Sequence, residues 1–561
     1  MRGSLHPFAW LPTLLGALGL AACDGRVSTG PAGPHDQWLC PGCPERPAPT
    51  TRFARLSHVQ WENATTDLLR LPEPSGLSST FKNDAVSGTF RNNGAELVVD
   101  SDLWQDYQNA AETLASRVTS SPEAIARLLP TDAPEDAAAR ARALVETLGM
   151  RAHRRPLTTE QRDRYLALFE TGPDVYPDME PFAAGTRVFL EALLQSPWFL
   201  YRVEASTEVR DGVIPLDGWE IASRLSFALW NTMPDESLFR AAADGSLGTA
   251  EGVRAQAERM LDDPRARAMV TQMHHELLEM DRWLDLRRSR TLFPAFDEQV
   301  PASLVVEGHR FVEHVVFDAE GTLTTLLTAP YTFADERLAR IYGLEGDFGP
   351  EPRRVELDPD RRAGILTQLG FLAANASSTD TDPIHRGVYI NRKVLCANLP
   401  PPPGTSALSE DDVSLPLRER IHNQTRLCGA TCHVQLINPI GFAFEHYDAI
   451  GAWRDTDPAG RPINARDTYR FDSGERSFDG AVELAHLMVA EFDTHRCYVQ
   501  HWLEYLHGRM PARIDGALVG RLAHASRAGA MSVRDLIVEL VASDAFRTRS
   551  PDELVAAGGG S

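Results

Sequence analysis

Long apolar segments are almost absent from this 561-residue chain. The one apolar run near its start, residues 8–20, has the length of a signal-peptide core and is short for a transmembrane helix. No later segment offers about 18 uninterrupted apolar residues, so we expect no membrane span. We expect residues 1–23 to form a signal peptide.

Basic residues are also in short supply. The chain has 56 Lys and Arg against 78 Asp and Glu, a formal net charge of −22. A surface this acidic repels nucleic acid and anionic lipid headgroups, so we expect no nucleic-acid partner. Hydrophobic residues make up 43% of the chain, as in an ordinary globular protein, and the length predicts several domains.

Cysteine is scarce, with seven residues in the chain, of which Cys23 is the first. It follows Leu20, Ala21 and Ala22, which together resemble a lipobox, where cleavage would leave an acylated Cys23 as the new N-terminus. The alternative is an ordinary secretory peptide with a chance cysteine. We expect an exported lipoprotein, periplasmic or at the cell surface, whose membrane contact is lipid only. The other six cysteines, an even number, favour disulfides or covalent cofactor attachment in an oxidising compartment.

Strand patterns are sparse, the clearest being residues 96–100 and 453–471. Helical patterns dominate from Arg52 onward, including a capping box that begins at Thr158. We therefore predict a mainly α fold: a multidomain helical body with few short strands. A flexible Pro/Gly-rich tether is expected at 24–50, with a local disulfide between Cys40 and Cys43, and a disordered tail at 550–561.

Several segments resemble known catalytic or metal-binding motifs but lack the required spacing or residue type. His275 begins a zincin-like helix motif, but Glu279 stands where the second histidine ligand belongs. The segment from His309 to His314 is one residue too long for the inverted motif. A calcium-loop pattern that begins at Asp455 lacks its final Glu. The chain also has no phosphate-binding loop and no nucleophile elbow, so the sequence leans against an enzyme.

One motif remains. Cys428, Cys432 and His433 resemble a c-type haem attachment site, in which two thioethers hold the haem and the histidine binds iron. Three residues separate the cysteines where two are usual, which on a helix rotates the first cysteine by about 100°. The alternative is two disulfide-forming cysteines beside an ordinary histidine. The sequence leaves the sixth iron ligand open among five residues: His446, His486, Met488, His501 and Met510.

The segment from Cys432 to Arg454 resembles the planctomycete cytochrome-C-like domain, which also occurs in myxobacteria. The resemblance rests on Cys432-His433, on Asn-Pro-Ile-Gly-Phe-Ala-Phe-Glu at 438–445 and on Tyr-Asp-Ala-Ile-Gly-Ala-Trp-Arg at 447–454. Segments on either side resemble the domains that accompany it in that family. The resemblance implies five units: an N-terminal planctomycete-type domain at 51–120, a short helical domain at 140–204, a central helical domain at 210–345, the cytochrome-C-like domain at 360–470 and a C-terminal helical domain at 475–549.

The resemblance implies an extracytoplasmic, lipid-anchored, cytochrome-C-like protein whose physiological role is unknown. Haem c held by Cys428, Cys432 and His433, with a role in electron transfer, is the leading hypothesis. The alternative is a non-catalytic structural or carbohydrate-associated surface protein that has disulfides and no haem. The sequence identifies no protein or polysaccharide partner.

The segment at 438–454 is predicted to form a compact unit beside the cysteine motif. Its buried carboxylates would need partners, and Arg454 is the nearest cation in sequence. The residues expected to build this unit are Asn438, Pro439, Gly441, Phe442, Glu445, Asp448 and Arg454.

Cys396 and Cys497 are the two cysteines of the body outside the haem-like motif. We predict a disulfide between them, because an unpaired thiol would be exposed to oxidation in an exported protein. Pairing of Cys396 with Cys428 or Cys432, or four reduced thiols, are the alternatives.

Overall fold

The computed structural model describes residues 45–84, 88–319, 321–399, 414–425 and 432–552. Within these residues the protein is mainly helical, with four small antiparallel sheets of two strands each. The expected signal peptide, Cys23, Cys40, Cys43 and Cys428 lie outside the described residues. No described helix is both long and apolar enough to cross a membrane.

The N-terminal part is a helical unit closed by a short sheet that joins its two ends. Strand β1 pairs with β2, so that Phe53 lies opposite Val203. Its core is a cluster of apolar side chains drawn from residues 56–233. The elements are β1 (Phe53–Arg55), α1 (His58–Leu69), α2 (Ser101–Thr119), α3 (Pro122–Leu128), α4 (Ala137–His153), α5 (Thr159–Glu170), α6 (Gly172–Val175), α7 (Pro181–Leu194), α8 (Pro197–Leu200) and β2 (Tyr201–Val203).

The middle of the chain forms a second helical layer, in which α12 packs on α14. Apolar residues at helical spacing explain these helices, and side-chain caps such as Asp217 on α9 fix where they begin. The elements are β3 (Ile214–Pro215), α9 (Gly218–Trp230), α10 (Glu236–Ala243), α11 (Ala250–Leu261), α12 (Pro264–Leu277), α13 (Asp281–Leu284), α14 (Val300–Glu313), α15 (Leu323–Thr328), β4 (Tyr331–Ala334), α16 (Glu336–Tyr342) and β5 (Arg353–Glu356).

The remaining elements complete one large core shared by residue 90 and residues 216–546. Helix α22 is its central member, with 14 of its 16 residues buried. The elements are α17 (Leu369–Ala374), α18 (Pro383–Tyr389), α19 (Leu417–Thr425), α20 (Asn438–Phe442), β6 (Arg466–Phe471), β7 (Gly474–Asp479), α21 (Ala481–Met488), α22 (Phe492–His507), α23 (Gly516–Arg527), α24 (Val533–Ala542), α25 (Asp544–Arg547) and β8 (Thr548–Arg549). Three π-helical turns lie at His314–Asp318, Ile390–Val394 and His433–Ile437.

Three expectations from the sequence need correction. Residues 96–100 do not form a strand: residues 97–100 have no regular secondary structure, and Asp100 caps α2 by accepting a hydrogen bond from the Leu103 amide. The expected tether ends earlier than residue 50, because Ala48 is buried and Glu45 pairs with Arg521 at 3.0 Å. At the other end Ser550 is buried, so it is not part of a disordered tail.

Candidate functional site

Cys432 and His433 stand at the start of the π-helical turn that leads into α20. Cys432 is half-buried and is a free thiol. His433 is also half-buried, and burial lowers the pKa of its imidazole, although a hydrogen bond to Asn438 opposes that shift. The ring is therefore neutral at pH 7, and neutral imidazole is the form that binds a metal.

Asn438 orients the His433 ring. The Asn438 amide nitrogen donates a hydrogen bond to Thr425 Oγ1 at 3.0 Å, so its oxygen faces the histidine. That oxygen lies 3.4 Å from His433 Nδ1, a long hydrogen-bonding distance. In this arrangement His433 carries its proton on Nδ1, which leaves Nε2 with a free lone pair.

The segment that follows, 438–454, is packed against α18 without a gap. Gly441 lies so close to Pro383 that an added Cβ would collide with the Pro383 carbonyl oxygen. Phe442 and Phe444 are buried, and the guanidinium of Arg418 covers the Phe442 ring at 4.5 Å. The segment therefore gives the neighbouring Cys432 and His433 a closely packed support.

Both carboxylates of this segment have partners. Glu445 is buried, accepts hydrogen bonds from Thr381 Oγ1 at 3.0 and 3.2 Å, and lies 3.5 Å from the Arg454 guanidinium. Burial raises the pKa of Glu445, while Arg386 and Arg454 lower it. Asp448 accepts hydrogen bonds from the amides of Ile450 and Ala452, both at 2.9 Å. These contacts tie the segment into one unit.

Arg386 joins the unit to its surroundings, and sequence reasoning did not give it that role. Its side chain is fully buried and donates hydrogen bonds to the carbonyl oxygens of Phe444 at 3.0 Å and Leu372 at 3.1 Å. Burial lowers the pKa of Arg386 to about 10, which still leaves it charged at neutral pH. An arginine is most often exposed, so its position in the sequence gave no sign of this.

The predicted disulfide between Cys396 and Cys497 is present. The two Cα atoms lie 5.3 Å apart, and the bond ties the segment before the haem-like motif to α22 across 101 residues. This bond does not use Cys432, which is a free thiol.

The contacts of the described residues bring none of the five possible sixth ligands against His433. Burial lowers the pKa of His501 to about 3, and its Nε2 lies 3.0 Å from the Lys393 carbonyl oxygen. His446 stacks on Trp453 with ring centroids 4.6 Å apart. Met488 is buried, whereas His486 and Met510 are exposed.

A polar cleft of about 410 Å³ opens beside the 438–454 unit. Arginines and carboxylates line it in pairs, such as Arg461 with Asp457 at 2.6 Å and Arg454 with Glu445 at 3.5 Å. The cleft therefore offers both hydrogen-bond donors and acceptors.

Five protein-family profiles match the chain in succession, each described as a protein of unknown function. They are DUF1587 at residues 54–120, DUF1595 at 140–204, DUF1592 at 216–344, DUF1588 (PSCyt3) at 362–457 and DUF1585 at 474–546. No curated protein and no solved structure matches the chain significantly. The chain therefore belongs to the proteins built from this five-domain cassette, which includes the planctomycete cytochrome-C-like family.

Proposed function

We propose that this protein is an exported, lipid-anchored cytochrome in which Cys428 and Cys432 hold haem c and His433 Nε2 binds the iron. The observation that carries the proposal is the contact between His433 and Asn438. Ligating histidines in proteins usually donate the other ring N–H to a fixed acceptor, and Asn438 is such an acceptor. When bound, the haem would supply one-electron transfer.

The residues around the motif fit this role. Cys432 is a free thiol next to His433, as a thioether to haem requires. The motif stands on the buried 438–454 unit, whose two phenylalanines give it an apolar base. A fixed base limits reorganisation at the iron when the charge of the centre changes.

Export and a lipid anchor on Cys23 belong to the same proposal. The disulfide between Cys396 and Cys497 supports it, because such bonds persist in oxidising compartments outside the cytoplasm. Assembly of c-type cytochromes also takes place there. A Cys23→Ser variant should leave the membrane fraction, whereas wild-type protein should stay with it.

The test of haem binding is the visible spectrum of the exported full-length chain, made in a host that assembles c-type cytochromes. We expect a Soret band that survives extraction with acidified acetone. His433→Ala should lose the native spectrum, while His422→Ala, an exposed histidine on α19, should keep it. A colourless wild-type protein from a host whose assembly system works would refute haem binding.

The polar cleft favours a second candidate function, a carbohydrate-associated surface protein without haem. Paired arginines and carboxylates can bind the hydroxyl groups of a sugar. This candidate predicts that colourless protein co-sediments with cell-wall polysaccharide and that Arg461→Ala weakens the binding. Arg476→Ala, an exposed arginine outside the cleft, is the control. Equal binding by both variants would exclude the cleft as the site.

A further inference from the structure

Two helices that each carry an incomplete zinc-protease motif pack against each other. They are α12, which carries His275, and α14, which carries His309. His275 Nδ1 lies 3.0 Å from His309 Nε2, and the two ring centroids are 5.2 Å apart. The first histidine of each incomplete motif thus meets the other across the helix interface.

The second nitrogen of His275 is held by a carboxylate. His275 Nε2 lies 2.8 Å from Asp281 Oδ1, and the other oxygen of Asp281 accepts from Arg91 at 2.9 Å. The hydrogen bond from His275 lowers the pKa of Asp281, so this carboxylate is ionised and can only accept. His275 therefore carries its proton on Nε2 when neutral, and its Nδ1 has a free lone pair.

The His309 ring is neutral at pH 7, since burial lowers its pKa to about 4. In the present contact His309 donates Nε2–H to His275 Nδ1. The same neutral ring can carry its single proton on Nδ1 instead. Both facing nitrogens then have free lone pairs, with no net change in protonation.

The spacing of these two nitrogens suits a metal. Two neighbouring ligand atoms at metal–nitrogen distances of about 2.0–2.1 Å lie about 2.9–3.3 Å apart in square-planar or tetrahedral geometry. The carboxylate behind His275 is the usual outer partner of a ligating histidine. The His275 side chain is 14% exposed and Asp281 is 57% exposed, so solvent can reach the pair.

We propose that His275 Nδ1 and His309 Nε2 bind one divalent transition-metal ion, with water in the remaining coordination positions. Imidazole donors select ions such as Cu²⁺ and Zn²⁺ over Mg²⁺ or Ca²⁺. The neighbouring His274 does not take part, because its nitrogens already contact the Val270 carbonyl oxygen at 2.9 Å and Tyr498 Oη at 3.0 Å. This site is separate from the proposed haem site.

A second group of metal-ligand atoms lies elsewhere, in Cys396, Cys497 and His501. Both sulfurs of that group form the disulfide, so they are not available to an ion in the oxidised protein. The histidine pair therefore binds the metal without competition from this group.

The test uses full-length protein with its disulfide intact, stripped with chelator and titrated with Cu²⁺. We expect one tightly bound ion per chain, with an electron spin-echo signature of two equatorial imidazoles, and displacement of that ion by Zn²⁺ in excess. His275→Gln and His309→Gln should each leave at most one coordinated imidazole and weaken binding tenfold or more. His314→Asn is the matched control, since it removes a partly exposed histidine that contacts Asp318 one turn further along.

A variant that weakens the site without removing a ligand distinguishes metal binding from a simple hydrogen bond between the two rings. Asp281→Asn keeps both ligands and should weaken binding by about 10- to 100-fold, because it removes the charge behind His275. Circular dichroism must show that each variant is folded. Unchanged affinity in both glutamine variants, or a single imidazole in the wild-type spectrum, would overturn the site. His433→Ala should bind Cu²⁺ normally, so loss of the haem proposal would leave this one standing.

Discussion

At the scale of single residues, the Arg386 side chain joins the cytochrome-like unit to its neighbouring segment. It is fully buried, and its guanidinium donates to carbonyl oxygens on two separate segments. Arg386→Leu would leave these carbonyls unsatisfied, so we expect it to lower the free energy of unfolding by about 3 kcal/mol. Denaturant unfolding measures this. Arg466→Leu removes an arginine whose side chain is 75% exposed, and it should change stability by less than about 0.5 kcal/mol.

Glu307 gives the protein a predictable response to pH. Its carboxyl is buried on α14, and burial raises its pKa from the ordinary 4.5 to about 7, although hydrogen bonds from Thr332 and Tyr342 oppose the shift. Between these two values the folded state keeps a proton that the unfolded state has lost. The contribution of this group to stability is therefore full below pH 4.5 and falls as the pH rises towards 7.

We expect Glu307→Gln to remove this fall, because an amide does not titrate. Thermal unfolding followed between pH 4.5 and 7.5 should show a smaller loss of stability in the variant than in wild type. Glu313→Gln, at the end of the same helix, should keep the wild-type slope. Parallel slopes for Glu307→Gln and wild type would mean that folding does not raise the pKa of Glu307.

The cysteine count predicted the one disulfide that the described part of the structure shows, whereas contacts that depend on helix packing could not be predicted from the sequence. Cys396 and Cys497 could be paired from the sequence because they were the two left outside the motif. The burial of Arg386 could not, since arginine is most often exposed. The contact between His275 and His309 could not be predicted either, because these histidines are 34 residues apart in sequence and meet only through the packing of two helices.

At the scale of elements, the close approach of α18 and α20 positions the motif. Gly441 touches the Pro383 carbonyl, and Gly387 touches the Ile437 carbonyl, so that neither has room for a Cβ. Gly441→Ala should push the helices apart and cost about 1–3 kcal/mol of stability. Gly349→Ala, where a Cβ meets no atom within 4 Å, should be close to neutral. Equal melting temperatures for the two variants would show that this approach is not needed.

Local sequence patterns predicted some helices and strands correctly, whereas others depend on contacts between distant parts of the chain. The capping box at Thr158 begins α5 as predicted, because its hydrogen bonds are made within one turn of helix. Residues 96–100 looked extended, but a strand needs a partner, and Asp100 gains more by capping α2. Strand β8 pairs with β3 across more than 300 residues, and no local sequence pattern predicts this pairing.

At the scale of the whole molecule, the family boundaries do not mark separate bodies. The central, cytochrome-like and C-terminal segments share one hydrophobic core, and α22 runs through it. The disulfide between Cys396 and Cys497 closes a loop of 101 residues within that core. These three segments therefore form one body and not a string of independent domains.

Removing the disulfide should destabilise this particle as a whole. For a loop of about 100 residues the entropy model gives up to about 4–5 kcal/mol, with any native strain reducing the figure. We expect the Cys396→Ser/Cys497→Ser double variant to melt at a lower temperature than wild type and to be insensitive to reductant. A double variant that melts with oxidised wild type would contradict this role.

We propose that Cys432 and its neighbour His433 hold a haem. Peptide mass spectrometry can test this haem attachment directly. The peptide that contains Cys428 and Cys432 should be isolated from the exported protein made in a host with a working c-type cytochrome assembly system. We expect one haem attached to this peptide through both sulfurs. An unmodified peptide, with the two cysteines joined in a disulfide or present as free thiols, would contradict it.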